Sequence, residues 1–238
     1  MKKYKILGVI PARAGSKGIK NKNIIDFGGH PLIKYTIDSA IGSKMITDCI
    51  VSTDSKEIAL LSESFGMDCP FIRPKHLSDD KSQSLPVIEH ALSFMEKKNH
   101  IVYDAIIMLQ PTTPLRSSED IDKALTVLMD TKSDSVISVV EVEGNHPLRM
   151  KRIVNNRLIN YIDQGYEDMR PRQDLPPAYI RNGAIYATLR SVLVNEKSFS
   201  GQNSYPFIMS KGKSINIDSI SDLQLCLIYL KTNLKSIK

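Results

Sequence analysis

The loop that follows the first apolar run of the chain combines glycine and positive charge in a short space. Over residues 10–23 its sequence is IPARAGSKGIKNKN. Pro11 ends the preceding strand, and Gly15 and Gly18 let the backbone approach a ligand closely. The loop also carries cations that suit phosphate oxygens, namely Arg13, Lys17 and Lys22. We predict a polyphosphate cradle here; the alternative is a basic, solvated turn at the end of a strand.

Other nucleotide-binding and catalytic motifs are missing from the sequence. The loop is neither a Walker A loop nor a GxGxxG dinucleotide fingerprint. No arrangement of Ser, His and Asp suggests a hydrolase, so covalent catalysis is not indicated. The three cysteines, Cys49, Cys69 and Cys226, lie far apart without a CxxC pair. Their spacing argues against a disulfide framework and against a thiolate metal site.

Continuous apolar runs alternate with amphipathic segments through the first half of the chain. The apolar runs are YKILGVI, CIVSTD, YDAIIMLQ and SVISVV. This alternation predicts a mostly parallel sheet covered by helices on both faces, which is a doubly wound α/β fold. In that architecture ligands bind at the carboxyl ends of the strands. The loops at residues 11–23, 52–55 and 110–116 each follow a predicted strand, so we expect them to meet at one edge.

The regular periodicity fails between residues 149 and 180, where the chain is crowded with Arg, Pro and Tyr. We predict an insertion of hairpins and loops there. Long irregular segments in a compact chain are usually functional or interfacial. A strand, NGAIYAT, and an amphipathic last helix follow. Asp218 or Ser219 would cap that helix, with Asp222 in its first turn.

The composition limits the partners of the chain. Its 238 residues carry a net charge of +6, but basic and aromatic residues are not interleaved as in a single-stranded nucleic-acid site. We therefore expect no nucleic-acid partner. The N-terminus begins like a signal peptide, yet Pro11 and Arg13 interrupt its apolar run. No run approaches the roughly 20 residues of a membrane span, so we expect no membrane partner. The three separated cysteines fit a reducing compartment best, so we expect a cytoplasmic protein.

Five segments resemble one enzyme family and occur in the same order over nearly the whole chain. They are the first loop, LQPTTPLR, RPRQDLP, RNGAIY and INIDSISDL. On these segments the chain resembles the acylneuraminate cytidylyltransferases, which make CMP-activated N-acetylneuraminate, legionaminate or pseudaminate. Deoxy-octulosonate synthetases resemble it less, because their first loop continues differently after the PAR element.

The resemblance implies a fold, a reaction and an assembly. The implied fold is one Rossmann-like nucleotidyltransferase domain over residues 1–238. Residues 149–180 would form the interface of a homodimer and part of the sugar pocket. The implied reaction moves CMP from CTP to the anomeric 2-hydroxyl of an acidic nine-carbon sugar and releases pyrophosphate. It is a direct displacement that relies on positioning and charge stabilisation, and no protein nucleophile takes part.

The resemblance also assigns roles to individual residues. The catalytic residues would be Arg13, Lys22 and Asp218. CTP would be bound by Arg13, Ala14, Gly15, Ser16, Lys22, Asn23, Arg73 and Ser84. The sugar acid would be bound by Gln110, Pro111, Thr112, Arg149, Arg172, Asn182 and Tyr186. The guanidinium groups of Arg149 and Arg172 suit its carboxylate. Alternatives remain for two of these residues: a rim salt bridge for Arg172 and strand packing for Tyr186.

The resemblance implies a Mg²⁺ ion, or Mn²⁺, on the leaving pyrophosphate. Family members commonly offer an Asp-x-Asp pair, whereas this chain has Asn216-Ile217-Asp218. In a strand the side chains of Asn216 and Asp218 would share a face. Asn216 carries no charge, so it should bind the ion more weakly than aspartate would.

Three other interpretations compete with a cytidylyltransferase for nine-carbon acids. One is a related enzyme that activates an eight-carbon acid. Another is a catalytically weak nucleotide-binding or regulatory protein, which the uncharged Asn216 would favour. The third, a nucleic-acid-binding protein, rests on the positive charge alone. Pyrophosphate release from CTP with a panel of sugar acids separates them.

Overall fold

The computed structural model describes residues 4–15, 18–79, 82–166 and 168–235. The strands in these ranges are β1 (Ile6–Pro11), β2 (Asp26–Phe27), β3 (His30–Pro31), β4 (Asp48–Ser52), β5 (Ala105–Met108), β6 (Ser135–Glu141), β7 (Lys151–Val154), β8 (Arg157–Asn160), β9 (Tyr179–Leu189) and β10 (Ser204–Ile208). The α-helices are α1 (Leu32–Ile41), α2 (Lys56–Ser64), α3 (Ser84–Asn99), α4 (Ser118–Thr131), α5 (Arg190–Asn195) and α6 (Ile220–Lys235). Short 3-10 helices lie at Lys22–Ile24, Lys75–Leu77, Pro147–Arg149, Arg172–Asp174 and Lys211–Lys213.

Six strands form the central sheet in the order β10-β6-β9-β5-β1-β4. β4 and β5 flank β1 in parallel, and β10 runs parallel to β6. β9 is antiparallel to both of its neighbours, β5 and β6. The predicted mostly parallel, doubly wound sheet is therefore confirmed, with one reversed strand near its middle.

The core consists of two apolar layers, one on each side of this sheet. Ile33 of α1 and Leu125 of α4 belong to one layer. Ile88 and Leu92 of α3 and Leu193 of α5 belong to the other. Because helices cover both faces, the central strands read as unbroken apolar runs rather than as alternating patterns.

Side-chain caps fix the N-termini of α4 and α6. Ser117 and Asp120 form a reciprocal capping box at the start of α4. At α6, the hydroxyl of Ser219 accepts a hydrogen bond from the backbone N–H of Asp222 at 3.3 Å, and Asp222 Oδ2 accepts from the N–H of Ser219 at 2.8 Å. Ser219 is thus the cap of α6, which leaves the carboxylate of Asp218 for other contacts.

The segment between β6 and β9 leaves the main sheet, as the irregular sequence predicted. β7 and β8 pair as a separate two-stranded sheet. Asn155 and Asn156 connect them, both with positive φ, as a type I′ hairpin turn requires. Among the described residues, no helix is long and apolar enough to cross a membrane.

Candidate active site

A cleft of ≈390 Å³ opens where β1, β4 and β5 end. Its lining residues, among those described, are Pro11, Arg13, Gly18, Lys22, Asn23, Arg73, Leu77, Asp79, Ser82, Gln83, Ser84, Val87, Gln110, Pro111, Thr112 and Asp218. They come from four separate parts of the chain, residues 11–23, 73–87 and 110–112 and the single residue Asp218. The carboxyl ends of neighbouring parallel strands share one sheet edge, which is why the loops after β1 and β5 meet here.

Lys22 and Asp218 form an ion pair in this cleft. Lys22 Nζ donates to Asp218 Oδ1 at 2.8 Å and to the carbonyl oxygen of Ile217 at 2.7 Å. The side chain of Lys22 is 10% exposed, whereas that of Asp218 is 67% exposed. The ammonium group is therefore nearly buried and held by two protein oxygens, whereas the carboxylate is exposed in the open part of the cleft.

The backbone around Asp218 is fixed by contacts with two other loops. The N–H of Ile217 donates to the carbonyl oxygen of Thr112 at 2.8 Å. Ile217 itself is fully buried in a small apolar cluster with Ile19 and Phe27. Gly18 approaches so closely that a Cβ atom at this position would overlap the carbonyl oxygen of Asp218. The glycine of the first loop is thus needed for packing against the Asp218 loop.

Arg73 is buried at the side of the cleft and holds two chain segments. Its Nε donates to Ser52 Oγ at 3.1 Å, and its Nη2 donates to the carbonyl oxygen of Ser52. Burial lowers the pKa of Arg73, and the nearby charge of Arg13 lowers it further, while Asp54 acts in the opposite direction. The site therefore concentrates positive charge before any ligand enters, which favours a polyanion.

Five of the residues predicted to bind CTP line the cleft: Arg13, Lys22, Asn23, Arg73 and Ser84. Asn23 Nδ2 donates to the carbonyl oxygen of Arg13 at 2.9 Å and so ties the two ends of the loop together. The N–H of Ala14 donates to Asp54 Oδ1 at 2.9 Å, so it is engaged within the protein. Gly15 is exposed and does not line the cleft, and Ser16 lies outside the described residues.

The residues predicted to bind the sugar acid divide into two groups. Gln110, Pro111 and Thr112 line the cleft. The other four do not: Arg149, Arg172, Asn182 and Tyr186.

The two arginines lie at the surface. Arg149 Nη2 donates to the carbonyl oxygen of Arg170 at 2.8 Å. Arg172 forms a long ion pair with Glu143, with Nη2 3.7 Å from Oε2, at a second cavity of ≈400 Å³. This is the rim salt bridge that the sequence left open as an alternative.

The other two lie inside the sheet. Asn182 is buried with its amide bonded to protein groups. Tyr186 is half-buried and packs against Phe199, with ring centroids 6.1 Å apart. Burial raises the pKa of its hydroxyl, while Arg181 acts in the opposite direction. In this single chain Tyr186 makes a strand-packing contact and does not line the cleft.

Sequence reasoning missed several lining residues: Leu77, Ser82, Gln83 and Val87. They lie between Arg73 and the first turn of α3. The signal in the sequence is the polar stretch before an amphipathic helix, since a helix N-terminus offers unpaired N–H groups to an anion. Leu77 and Val87 are ordinary apolar residues, so nothing in their types reveals the cleft.

The chemistry of the donors beside Asp218 tests whether the implied metal ion fits. Asp218 Oδ2 accepts from Asn216 Nδ2 at 2.5 Å. Asn216 Oδ1 is buried and has no hydrogen-bond partner within the described ranges. Rotating the amide by 180° would turn this oxygen toward Asp218, and amide orientation is assigned from the hydrogen-bond network. Mg²⁺ is usually held by one or two carboxylates together with phosphate oxygens, so Asp218 with Asn216 fits a magnesium ion completed by a nucleotide.

No larger metal site competes with this pair in the part of the chain that the structure describes. There, no group of three or more His, Cys, Asp or Glu side chains is placed to hold an ion. Any ion held by the described residues would therefore depend on the phosphate oxygens of a bound nucleotide as much as on the protein.

Comparisons with known proteins identify the relatives of this chain. The family profile described as "Cytidylyltransferase" matches residues 7–234. The pseudaminic acid cytidylyltransferase of Campylobacter jejuni subsp. jejuni serotype O:2 is 33% identical over 233 residues, which cover 98% of this chain and 99% of that protein. The N-acylneuraminate cytidylyltransferase of Escherichia coli O18:K1:H7 is 34% identical over 236 residues, and the chain spans about half of its length, 54%.

Two further likenesses extend this result. The CMP-N,N'-diacetyllegionaminic acid synthase of Legionella pneumophila is 32% identical, with 93% of this chain and 94% of that protein covered. A solved CMP:2-keto-3-deoxy-manno-octonic acid synthetase in complex with CTP superposes with a TM-score of 0.69 over 96% of this chain and 99% of that one. Its identity is 21%, so this likeness concerns the fold alone.

Proposed function

Because the chain belongs to the acylneuraminate cytidylyltransferase family, we propose that it transfers CMP from CTP to the anomeric hydroxyl of a sialic-acid-like nonulosonic acid and releases pyrophosphate. Its relatives are named for pseudaminic, N-acylneuraminic and diacetyllegionaminic acid at near-equal identities of 33%, 34% and 32%. The proposal therefore names the class of nine-carbon sugar acids.

The observation that carries the proposal is the convergence of charge in the cleft. Arg13 and Lys22 of the first loop and Arg73, about 50 residues further along the chain, line the same cleft as Gln110 and Asp218. A triphosphate needs several cations that are already in place, because preorganised charge costs no rearrangement when the reaction occurs. The cleft offers them beside a polar wall for a second substrate.

In the proposed displacement, the sugar hydroxyl oxygen forms a bond to the α-phosphorus of CTP. The bond from that phosphorus to the bridging oxygen breaks, and pyrophosphate leaves with its electron pair. Arg13 and Lys22 stabilise the negative charge on the phosphates. The hydroxyl proton passes to a base in the cleft, for which Asp218 and Asp79 are the two carboxylates among the described lining residues.

Asp218 and Asn216 would hold a Mg²⁺ or Mn²⁺ ion. When bound, the ion supplies positive charge that stabilises the pyrophosphate leaving group. The chain's own contribution is to position the carboxylate, which Lys22 and the Thr112–Ile217 hydrogen bond do.

The proposed working form is a homodimer built on the β7–β8 hairpin. This hairpin exposes large apolar side chains: Ile153, Val154, Leu158 and Ile159. Exposed apolar patches of this kind mark interaction surfaces. Arg149 and Arg172 flank the hairpin and lie outside the cleft of their own chain. In a dimer the two arginines would help to close a sugar pocket, where they would orient the sugar carboxylate.

Pyrophosphate release tests the proposed function directly. The protein is incubated with CTP, Mg²⁺ and, separately, N-acetylneuraminate, legionaminate, pseudaminate and an eight-carbon ulosonic acid. UTP and ATP in place of CTP are the controls. We expect release with CTP and a nine-carbon acid. We also propose that the protein works in the cytoplasm. Release with none of the acids would overturn the proposal.

A further inference from the structure

Asn182 lies where β9 bulges away from β6. The pairing shifts between Ile137, opposite Tyr186, and Val139, opposite Arg181. Between these two pairs, Ser138 of β6 alone faces the four residues 182–185 of β9. Bulges next to active sites change the direction of a side chain, and here the bulge places Asn182 against two of the loops that line the cleft.

The amide oxygen of Asn182 fills the inside of this bulge. It accepts a hydrogen bond from Ser138 Oγ at 2.6 Å and another from the N–H of Ala184 at 3.1 Å. Asn182 is only 4% exposed. A buried amide without partners would be costly, so these bonds stabilise the bulged conformation.

The other polar groups of Asn182 reach two different loops. Its Nδ2 donates to Ser214 Oγ at 2.9 Å, in the loop that leads to Asp218. Its backbone carbonyl oxygen accepts from Thr113 Oγ1 at 3.1 Å, in the loop that contains Gln110. Both loops line the cleft, and the Ile217 to Thr112 hydrogen bond joins them directly.

From this arrangement, and resting on the proposed function, we infer that Asn182 is a positioning residue. It couples the Gln110–Thr113 loop to the Ser214–Asp218 loop. Gln110, which is proposed to bind the sugar, and the Asp218 carboxylate, which is proposed to hold the metal ion, then keep a fixed separation. The side-chain amide of Asn182 is bonded to protein groups on both sides. Displacements of about 1 Å in such groups can cost about 100-fold in turnover.

Removing the partners of Asn182, rather than Asn182 alone, tests this inference. S214A deletes the oxygen acceptor of its amide nitrogen and leaves only the weaker acceptor Met209 Sδ, at 3.3 Å. T113V deletes the hydroxyl that donates to its carbonyl oxygen. Neither Ser214 nor Thr113 lines the cleft. We expect each variant to lower kcat by about tenfold or more while KM for the sugar acid changes by less than about twofold.

Rescue and a matched control separate positioning from a general loss of stability. S214T keeps a hydroxyl and should restore most of kcat. S135A removes another buried serine of β6, whose hydroxyl bonds to the carbonyl oxygen of Ser200 at 2.6 Å and to Ser204 Oγ at 2.8 Å, far from the cleft. S135A should lower thermal stability by about as much as S214A does and leave kcat unchanged.

If Asn182 instead contacts the sugar acid directly, the opposite result is expected. N182D keeps the shape of the side chain and the oxygen that faces Ser138. If it raises KM for the sugar acid more than about tenfold while S214A and T113V behave like wild type, the inference is overturned. A double variant N182D/S214A that costs no more than N182D alone supports the inference, because the two residues then act as one unit.

A readout without turnover keeps this inference separate from the proposed function. Hydrogen exchange of the Ile217 N–H, which bonds to Thr112, should become faster in S214A and stay unchanged in S135A. If the wild-type protein released no pyrophosphate with any acid, the proposed function would fail, yet this exchange would still decide the coupling. Equal exchange in S214A and wild type would overturn it.

Discussion

Lys22 Nζ lies 2.8 Å from Asp218 Oδ1, although the two residues are 196 positions apart in the sequence. The pair joins the first loop of the chain to the loop before the last helix. Its ammonium group is nearly buried and its carboxylate is open to the cleft. The ammonium group of Lys22 is thus held at a fixed place, where it can interact with an incoming phosphate as well as with Asp218.

Replacing Lys22 with Met should reduce kcat/KM for CTP by about 100-fold or more, because one preorganised charge on the phosphates is lost. Steady-state pyrophosphate release measures this. K20M is the matched control, since Lys20 lies in the same loop but is exposed and does not line the cleft. Equal losses in both variants would show that only the net charge of the loop matters.

Replacing Gly18 with Ala should destabilise the protein and abolish most turnover. The new Cβ would overlap the carbonyl oxygen of Asp218, so one of the two loops must move. Overpacking of this kind costs about 1–3 kcal/mol in the free energy of unfolding. Urea denaturation and turnover are the measurements.

Gly144 provides the control for this substitution, because a Cβ there meets no atom within 4 Å. G144A should behave like wild type in both assays. Full activity in G18A would mean that the Asp218 loop adjusts without consequence for catalysis.

Replacing Asn216 with Asp should tighten Mn²⁺ binding in the presence of CTP by about tenfold, because site affinity rises with ligand charge. Electron paramagnetic resonance of free Mn²⁺ gives the affinity without any turnover. N195D adds the same charge at the exposed end of α5 and should leave the affinity unchanged. If both variants gave the wild-type titration, Asn216 would not lie beside the ion.

Replacing Leu158 with Lys should convert the proposed dimer to a monomer. Leu158 is 68% exposed on the β7–β8 hairpin, and a charge there opposes burial of the apolar patch. Light scattering at micromolar concentration measures the mass. L60K is a close control, since Leu60 on α2 is 67% exposed and lies outside the hairpin. A wild-type protein that is monomeric in this assay would rule out the dimer.

The Asp120–Lys213 ion pair should make stability depend on acidity. Lys213 Nζ lies 2.8 Å from Asp120 Oδ2 at the start of α4. Burial raises the pKa of the Asp120 carboxyl, but hydrogen bonds from Lys213 and Ser117 outweigh burial and hold the pKa below its usual value. Because the folded-state pKa is depressed, the stabilisation is present above the unfolded-state pKa and is lost as the pH falls through the folded value.

Denaturant unfolding of wild type and K213M between pH 7 and pH 3 tests this pH dependence. We expect K213M to be less stable at pH 7 and the difference to shrink toward pH 3. K211M removes a lysine from the same short helix, but its partner Glu143 is exposed, so a small change at every pH is expected. A difference that stays constant over this range would contradict the role of Asp120.

The sequence by itself determined the sheet and much of one wall of the site. Arg13, Lys22 and Asn23 follow a buried strand within a short loop, and Gln110 follows another. Such loops cannot move far from the strand ends, and parallel strands end at a shared edge. Local pattern and topology together therefore sufficed to predict that these residues would meet.

Only the tertiary structure decided the contacts of residues whose partners are distant in sequence. The bonds of Asn182 to Ser138 and Thr113 span 44 and 69 positions, and a one-dimensional pattern does not show which side of β9 faces the cleft. The same holds for Arg172, whose ion-pair partner Glu143 lies near the other end of the segment between β6 and β9. The physical reason is that side-chain direction in a bulged strand depends on long-range pairing, and this pairing exists only once the sheet has formed.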